Sequence, residues 1–439
     1  MIPSSVFTKE LYESIPDGWK ETRLKYVSIV LPSNVDKKTY EDQTSVKLCN
    51  YVDVYYNDSI DNSLNFMIST ASDQEIKKFT LKPGDVVLTK DSESPDDIGI
   101  PSVVREVVED LVCGYHLSVL KPKKDVNGIF LFWYIYSKLS SSFFEKRANG
   151  ITRFAIGMNT VGSLPVIHPS IESQKQIADF LDKETTRIDT LISKKQKQIE
   201  LLQEKRQAII TQSVTKGLNP DVKMKDSGVE WIGEIPEHWK VRKFSQVISI
   251  QEGQVDPSIE PYKSMILIAP NHIESKTGIL LNTETAEEQG ADSGKYLCRK
   301  DDVVYSKIRP NLAKVIISPC DSLCSADMYP MRCDKKILEN EFLYWLLLSD
   351  SYTRWAVLES MRVAMPKLNR ETMSGYRIPV PPLKEQRELI SVIKEECSKI
   401  SVLVEKIKSS IDLLKEYRSS LITHAISGQI DISKYEVSK

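Results

Sequence analysis

The stretch LLQEKRQAII at residues 201–210 returns as LLKEYRSSLI at residues 413–422, and this pair of segments decides the fold. The offset between them is 212 residues, whereas Trp19 near the start of the chain returns 220 residues later as Trp239. A repeat of this length is too long for a solenoid, whose units run about 20 to 50 residues. The sequence therefore predicts two copies of one unit, each a globular module followed by a long helix.

Each copy ends in a segment without Pro or Gly whose apolar residues recur at the heptad spacing of a coiled coil. The segments stop at Gly217 and Gly428, where glycine commonly ends a helix. We expect the two helices to pair antiparallel, since a tandem repeat closed by a pseudo-two-fold axis buries the same stripe of both copies. Pairing between two chains is the alternative. The predicted coiled-coil seam consists of Leu181, Ile188, Ile192, Ile199, Leu202, Ile209, Ile393, Ile400, Val404, Ile407, Ile411, Leu414 and Leu421.

Each globular module is predicted to be α+β, because short strands rich in Val, Ile and Tyr are followed by an aromatic helix. The helical spacing of the aromatic residues at 130–134 and 342–346 favours core packing over base stacking. The predicted fold is two tandem modules of mixed strands plus short helices, separated by a long antiparallel two-helix coiled coil with pseudo-two-fold symmetry. The predicted boundaries are 1–165 and 219–378 for the modules, 166–218 and 379–430 for the long helices, and 431–439 for a C-terminal tail.

Composition limits the classes of function that are open to this chain. Its 439 residues are 41% hydrophobic and carry 59 Lys and Arg against 61 Asp and Glu, a net charge of −2. A uniformly basic nucleic-acid coat is excluded, so any DNA binding must come from local basic surface. The most apolar stretch, residues 129–135, is far shorter than the roughly 20 residues of a membrane span, and no secretory signal is expected. Seven cysteines without regular spacing favour a reducing cytoplasm.

Basic and amide side chains cluster at two places in each module, once after a predicted strand and once before the long helix. Lys, Arg and Asn are the types that bind phosphates and the edges of guanine and adenine. The loop at 90–97 is acidic where its counterpart at 307–314 is basic, so the two loops are not expected to work identically. The candidate DNA-binding residues are Lys90, Lys146, Arg147, Asn149, Arg153, Asn159, Lys307, Arg309, Asn311, Lys314, Arg354, Arg362, Lys367, Asn369 and Arg370.

Two other kinds of site are weaker interpretations of the sequence. A sparse nuclease-like pattern is formed by Asp256, Glu274 and Lys276. A zinc site is disfavoured against buried free thiols, because the spacing is poor and the first copy has no equivalent; its ligands would come from His272, Cys298, Cys320, Cys324 and Cys333. The sequence contains no P-loop and no nucleophile-elbow motif, so no catalytic residue and no metal site are predicted.

The run PVPPLKEQ at 379–386, directly before the second long helix, together with LLKEYRSSLIT at 413–423, resembles the specificity subunit of type I restriction–modification enzymes. The resemblance covers nearly the whole chain. In the first copy the same place reads HPSIESQ at 168–174, where Ser173 stands in place of the expected Glu.

This resemblance implies two target recognition domains, each reading one half of a split DNA sequence, with the antiparallel helices as the spacer. The seam from Leu181 to Ile209 would be roughly 42 Å long at about 1.5 Å per residue, or about 12 base pairs of duplex. Two adenine-methylating (M) subunits and two ATP-driven motor-nuclease (R) subunits are the implied partners. S-adenosylmethionine, ATP and magnesium would belong to those partners, and this chain would hold no cofactor. A metal-dependent nuclease and a coiled-coil scaffold without DNA reading are the alternatives.

Overall fold

The structure is a computed structural model that describes residues 15–361 and 366–432. The chain divides into two compact units. The first unit consists of residues 1–194 and 409–439, and the second consists of residues 195–408. Each unit therefore combines one globular module with segments of both long helices. The boundaries predicted between modules and helices stay predictions.

From residue 15 onward, the first module contains a five-stranded and a three-stranded sheet, two separate strand pairs and six short α-helices. Its strands are β1 Lys20–Arg23, β2 Ser28–Pro32, β3 Thr44–Cys49, β4 Ser59–Ile60, β5 Met67–Ala71, β6 Val86–Thr89, β7 Asp91–Ser92, β8 Pro101–Val104, β9 Leu111–Cys113, β10 Leu117–Pro122, β11 Phe154–Ala155 and β12 Pro165–His168. Its helices are α1 Leu24–Val27, α2 Tyr51–Tyr55, α3 Asp73–Phe79, α4 Gly128–Tyr136, α5 Lys138–Glu145 and α6 Met158–Gly162, and the long helix α7 follows at Ile171–Lys216. The strand orders are β2-β10-β6-β8-β4 and β5-β3-β9, with β1-β12 and β11-β7 as separate pairs.

The second module repeats this plan with fewer helices. Its strands are β13 Met224–Asp226, β14 Glu234–Pro236, β15 Lys240–Lys243, β16 Ile248–Ile250, β17 Gln254–Val255, β18 Leu267–Ile268, β19 Lys295–Cys298, β20 Val303–Ser306, β21 Val315–Ile317, β22 Ser322–Cys324, β23 Met328–Cys333 and β24 Arg377–Val380. Its helices are α8 Asn340–Leu348, α9 Asp350–Ser360 and α10 Arg370–Gly375, and the long helix α11 follows at Leu383–Ile426. The strand orders are β16-β23-β20-β21 and β17-β19-β22-β18, with β13-β14 and β15-β24 as pairs.

In each module the aromatic helix shares a buried core with one sheet, β2-β10-β6-β8-β4 in the first and β16-β23-β20-β21 in the second. Strands β6 and β20 are buried along their whole length, as expected for continuous apolar runs inside a sheet. The aromatic residues of α4 and α8 are also buried, with Phe130, Phe132 and Phe342 at 0% exposure. Both the α+β prediction and the core role of these aromatic residues are therefore confirmed.

A buried glutamine in the first turn of each long helix ties that helix to its module. Gln386 accepts a hydrogen bond from the Glu339 N–H at 2.9 Å and donates to the carbonyls of Ile337 and Pro381 at 2.9 and 2.8 Å. Gln174 makes the matching three bonds in the first unit, to Asn127, Asp125 and Pro169, at 2.9, 3.1 and 3.0 Å.

Both glutamines are fully buried, and each bridge holds the chain just before an aromatic helix. The repeated glutamine is therefore a structural link, since only a side chain with both a donor and an acceptor can make all three bonds.

The long helices run antiparallel within each unit, as predicted. In the first unit, Leu181 and Ile188 near the start of α7 share one buried cluster with Leu421 near the end of α11. In the second unit, Ile210 near the end of α7 shares a cluster with Ile393 near the start of α11.

All of the predicted seam residues are buried or half-buried. The most buried position shifts from Ile209 to the neighbouring Ile210, because a straight helix drifts by about 20° per heptad against a strict seven-residue repeat.

An arginine at a corresponding position of each long helix, Arg206 in α7 and Arg418 in α11, also connects that helix to its module. Arg418 donates to the Tyr136 hydroxyl at 3.0 Å and pairs with Asp58 and Asp189 at 3.2 and 3.1 Å. Its counterpart Arg206 instead donates to the backbone carbonyls of residues 276 and 277 at 2.7 and 3.2 Å. The position is the same in both copies, but the partners are charged and aromatic in one and neutral in the other.

Each long helix ends at a glycine that packs beneath a tryptophan. Gly217 has a φ of +75°, and a Cβ there would lie 3.4 Å from the Trp239 ring. Gly428 has a φ of +74°, and a Cβ there would lie 2.7 Å from Trp19. In the second unit the Trp239 indole also donates to Glu385 at 3.0 Å, the position that Ser173 occupies in the first copy.

A buried aspartate before the central strand accepts the backbone N–H three residues earlier in both modules, from Arg299 to Asp302 and from Lys82 to Asp85, but it has an arginine partner in only one. Asp302 accepts a bidentate pair of bonds from Arg332, at 2.8 and 2.6 Å. Its counterpart Asp85 accepts the Lys82 N–H at 2.9 Å, and burial raises the pKa of its carboxyl. The residue that corresponds to Arg332 is Lys121, which donates to the Thr80 carbonyl instead.

Candidate nucleic-acid interface

The two basic clusters predicted in each module lie next to each other, because their backbones are hydrogen-bonded. In the first module β7 pairs with β11, and the Ile156 N–H donates to the Lys90 carbonyl at 2.9 Å. In the second module the Leu368 N–H donates to the Lys307 carbonyl at the same distance. We call the paired segments the loop surface, which comprises residues 90–99 with 146–159 in the first module and 307–314 with 366–370 in the second.

A lysine lies at the same place on the loop surface of both modules. The Lys90 ammonium lies 4.9 Å from the centre of the Tyr115 ring and 3.4 Å from the Ser33 carbonyl. The Lys307 ammonium lies 5.4 Å from the Tyr329 ring and donates to the Ala326 carbonyl at 2.6 Å. Each lysine follows a fully buried strand, so the sheet fixes its backbone while its charge stays near the surface.

The first loop surface contains a buried carboxylate that binds an exposed arginine and a half-buried histidine. Asp91 is 8% exposed, and one of its oxygens accepts a bond from Arg153 at 2.7 Å. The other oxygen lies 2.5 Å from His116 Nδ1, which must donate if the carboxylate is ionised. The acidic loop seen in the sequence is thus partly an internal support for basic side chains.

The other candidates of the first module, Lys90 apart, lie in the same segment as Arg153, residues 146–159. Lys146 and Asn159 are exposed, on the chain after α5 and on α6. The Arg147 guanidinium lies over the Phe143 ring at 3.9 Å, and Asn149 pairs through its backbone with Ala155 across a short hairpin.

Aromatic residues near Asp91 were missed as candidates in the sequence. The Tyr51 and Tyr55 rings stack at 5.5 Å, and Tyr115 lies against His116 with ring centres 4.1 Å apart. The Tyr55 hydroxyl donates to Asp97 at 2.5 Å, and this bond raises the pKa of Tyr55 to about 12. The run YVDVYY at 51–56 was the available signal, but nothing local in it shows that the helix lies beside residues 91–97.

The second loop surface presents its polar side chains from a strained turn. Arg309 and Ala313 have φ values of +47° and +43°, and a 3-10 turn at Pro310–Leu312 lies between them. A non-glycine residue in this region costs about 1–3 kcal/mol, and such strain concentrates at functional sites. Arg309 and Asn311 are both exposed on this turn.

Several candidates of the second module bind backbone groups of the module itself. The Lys314 ammonium donates to the Pro270 carbonyl at 2.5 Å. Arg370 donates to the carbonyls of Ile250 and Gln251 at 2.9 and 2.7 Å and lies 5.0 Å from the Tyr329 ring. These bonds stabilise the loop surface and use donors that would otherwise face a ligand.

The remaining candidates of the second module are spread over three positions. Arg354 is exposed on α9, and Lys367 is exposed on the chain before α10. The Asn369 side chain accepts the Thr372 N–H at 2.7 Å and so caps α10. Arg362 lies outside the described residues.

The acidic residues of the nuclease-like pattern accept local hydrogen bonds. Asp256 accepts bonds from Ser258, and Glu274 accepts a bond from the Thr277 hydroxyl at 2.6 Å. Within residues 15–361 and 366–432, no group of three or more His, Cys, Asp or Glu side chains is placed to hold a metal ion. None of the helices in that part of the chain is long and apolar enough to span a bilayer.

Comparison with known proteins gives a consistent result over both copies. The family model described as Type I restriction modification DNA specificity domain matches residues 16–201 and 236–411. The chain is 26% identical to the EcoDI type I restriction enzyme specificity subunit of Escherichia coli, over 69% of this chain and 70% of that relative. It is 23% identical to the putative MjaX type I restriction enzyme specificity subunit of Methanocaldococcus jannaschii, over 97% of each.

Two solved structures share the fold. One is a chain described under "complex assembly and conformational transition of the type I R-M system", with a TM-score of 0.72, 15% identity and coverage of 95% of this chain and 100% of that one. The other is the HsdS subunit from Thermoanaerobacter tengcongensis, with a TM-score of 0.54, 15% identity and coverage of 95% and 98%.

Proposed function

This chain belongs to the type I restriction modification DNA specificity domain family, whose role is DNA target recognition, and we propose that its two modules each read one half of a split DNA sequence. The observation that carries the proposal is the loop surface. It occurs once in each module, at corresponding positions, and joins two clusters of basic and amide side chains that are far apart in the sequence.

The two loop surfaces differ in chemistry, which supports the reading of unlike half-sites. The first combines Arg153 and His116 with a buried carboxylate and several tyrosines. The second presents Arg309 and Asn311 from a basic turn. Because bases are distinguished by the pattern of donors and acceptors at their edges, different side chains select different sequences.

We assign catalysis to partner subunits in the same proposal. The specificity subunit would position two methylating subunits and two motor-nuclease subunits, which would use S-adenosylmethionine, ATP and magnesium. A net charge of −2 supports this division, since a chain without excess positive charge holds DNA weakly unless partners add basic surface. The paired long helices would set the gap between half-sites, and the expected compartment is the cytoplasm, where such a DNA target would lie.

An exchange of modules tests the proposal. Residues 1–165 would be replaced by the corresponding module of another specificity subunit, and the methylated sequences would be mapped in a host that carries the complete system. We expect one half of the recognised sequence to change while the other half is retained. The reciprocal exchange of residues 219–378 is the control and should change only the other half.

The alternatives predict different results in the same host. If both halves changed together, separate reading by the two modules would be wrong. A scaffold without DNA reading predicts that neither exchange alters the methylated sequence, and footprinting of the assembled complex would then show no protected split site. A nuclease predicts that the purified chain cuts plasmid DNA with magnesium alone.

A further inference from the structure

The buried Asp91 carboxylate fixes an exposed arginine on the first loop surface. Arg153 has a side-chain exposure of 60%, and one terminal nitrogen donates to Asp91 at 2.7 Å. A guanidinium carries five N–H donors, so most of its donors still face solvent. Asp91 therefore limits the orientations of Arg153 without using up its capacity to bind a ligand.

The backbone around this pair is also fixed. The Lys90 N–H donates to the His116 carbonyl at 3.2 Å, and the Lys90 carbonyl accepts the Ile156 N–H at 2.9 Å. Asp91 lies in register with Ala155 across the β7–β11 pair, which places Arg153 just beyond the end of the ladder. Three segments that are distant in the sequence are thus held together before any ligand binds.

The charges around Arg153 favour a base edge over a phosphate. Two carboxylates of the acidic loop act on it electrostatically, those of Asp91 and Glu93. A phosphate placed on Arg153 would lie close to the Asp91 carboxylate, and two negative charges at such short range repel each other. A guanine edge carries no net charge and offers two acceptors, O6 and N7, that match the arginine fork.

We propose that Arg153 reads a guanine in the first half-site, with Asp91 as the positioning residue that orients its guanidinium. His116 Nδ1, at 2.5 Å from the second oxygen of the same carboxylate, holds Asp91 from its other side. The inference rests on the proposed function, because it requires that the first module contacts DNA bases. It goes further by naming the base and the residue that reads it.

The test is selection from a duplex library randomised across both half-sites, using the complex assembled with its methylating partners. Wild-type complex is compared with Arg153→Lys, which keeps the charge and loses the bidentate fork. We expect the preference for guanine to fall by about 5- to 150-fold at one base pair of the first half-site, with the second half-site unchanged. Asp91→Asn should weaken the preference at the same base pair.

Arg187→Lys is the matched control. Like Arg153, Arg187 is exposed and pairs with a carboxylate, that of Glu184, at a distance of 2.9 Å. Unlike Arg153, it lies on the long helix α7, outside the module. Its replacement should leave every base preference intact. Thermal unfolding of all variants is measured in parallel, and an unfolded Asp91→Asn protein would leave Arg153→Lys to decide, because the exposed Arg153 supports no core.

The outcomes separate the inference from the function on which it rests. If wild type selects a split sequence and Arg153→Lys leaves all preferences unchanged, the inference is wrong and the function stands. If Arg153→Gln lowers affinity equally for all sequences and reduces the salt dependence by about one counterion, Arg153 binds a phosphate, which also overturns the inference. If wild type selects no sequence, both are wrong.

Discussion

Replacement of Gln386 by methionine tests whether the buried glutamine bridge stabilises its unit. Methionine has a similar length and is apolar, so the change removes three hydrogen bonds of 2.8–2.9 Å with little change in volume. The Glu339 N–H and two carbonyls would lose their partner at a fully buried position. A buried polar group left without a partner costs about 1–3 kcal/mol, so three groups at the low end give about 3 kcal/mol.

Because each unit contains one glutamine bridge, replacing each glutamine separately shows which unit loses stability. Gln386→Met should destabilise the second unit, and Gln174→Met should destabilise the first by a similar amount. Urea unfolding gives the free energy, and hydrogen exchange read by mass spectrometry identifies which unit opens. Gln198→Met, at an exposed position of α7, is the control and should change the unfolding free energy by less than about 0.5 kcal/mol.

A loss below about 1 kcal/mol for Gln386→Met would refute the reasoning, because it would mean that the bonds are no better than those made to water in the unfolded chain. Protection lost equally in both units would also contradict it, since each glutamine bonds only to residues of its own unit.

Three further predictions use differences between the copies. Asp302→Asn should destabilise the second unit by about 2–3 kcal/mol in urea unfolding at neutral pH, because it breaks a largely buried ion pair; a neutral result would contradict this. Burial raises the pKa of Asp85, so the contribution of Asp85 to the stability of the first unit is fully present below the ordinary aspartate pKa of about 4 and is lost as pH rises through the raised value. Asp85→Asn should abolish that loss, and an unchanged pH profile would show that another group causes it. Gly428→Ala should lower the midpoint of thermal unfolding more than Gly217→Ala, since both have a positive φ but only the first places a Cβ 2.7 Å from Trp19; equal losses would count against this.

The long helices could be predicted because their signals are local. The heptad phase, the absence of Pro and Gly, and the terminal glycines all lie within one segment, so α7 and α11 follow from the sequence alone. The antiparallel orientation of the two helices followed from the repeat, because a pseudo-two-fold axis buries the same apolar stripe of both copies against each other. The α+β class of the modules followed from strand and helix signals of the same local kind.

The details of the loop surface could not be predicted in the same way. Asp91 and Arg153 are 62 residues apart, and the sequence shows only an acidic loop and a separate basic cluster. Lys314 and Arg370 stay predicted DNA contacts, and their bonds to carbonyls at Pro270 and Ile250 depend on tertiary structure that their residue type does not show. Which side chain meets a base and which meets its own backbone is decided by packing between distant segments.

The first unit is assembled from two separate segments of the chain, which affects how it folds during synthesis on the ribosome. The second unit is one continuous stretch, but the first needs residues 409 onward to cover Leu181 and Ile188. At about 5–20 residues per second, the segment that carries Leu421 emerges roughly 12–47 s after Ile188 has been made. A nascent chain must therefore carry an uncovered apolar surface for most of its translation, and slow elongation would prolong its exposure to aggregation.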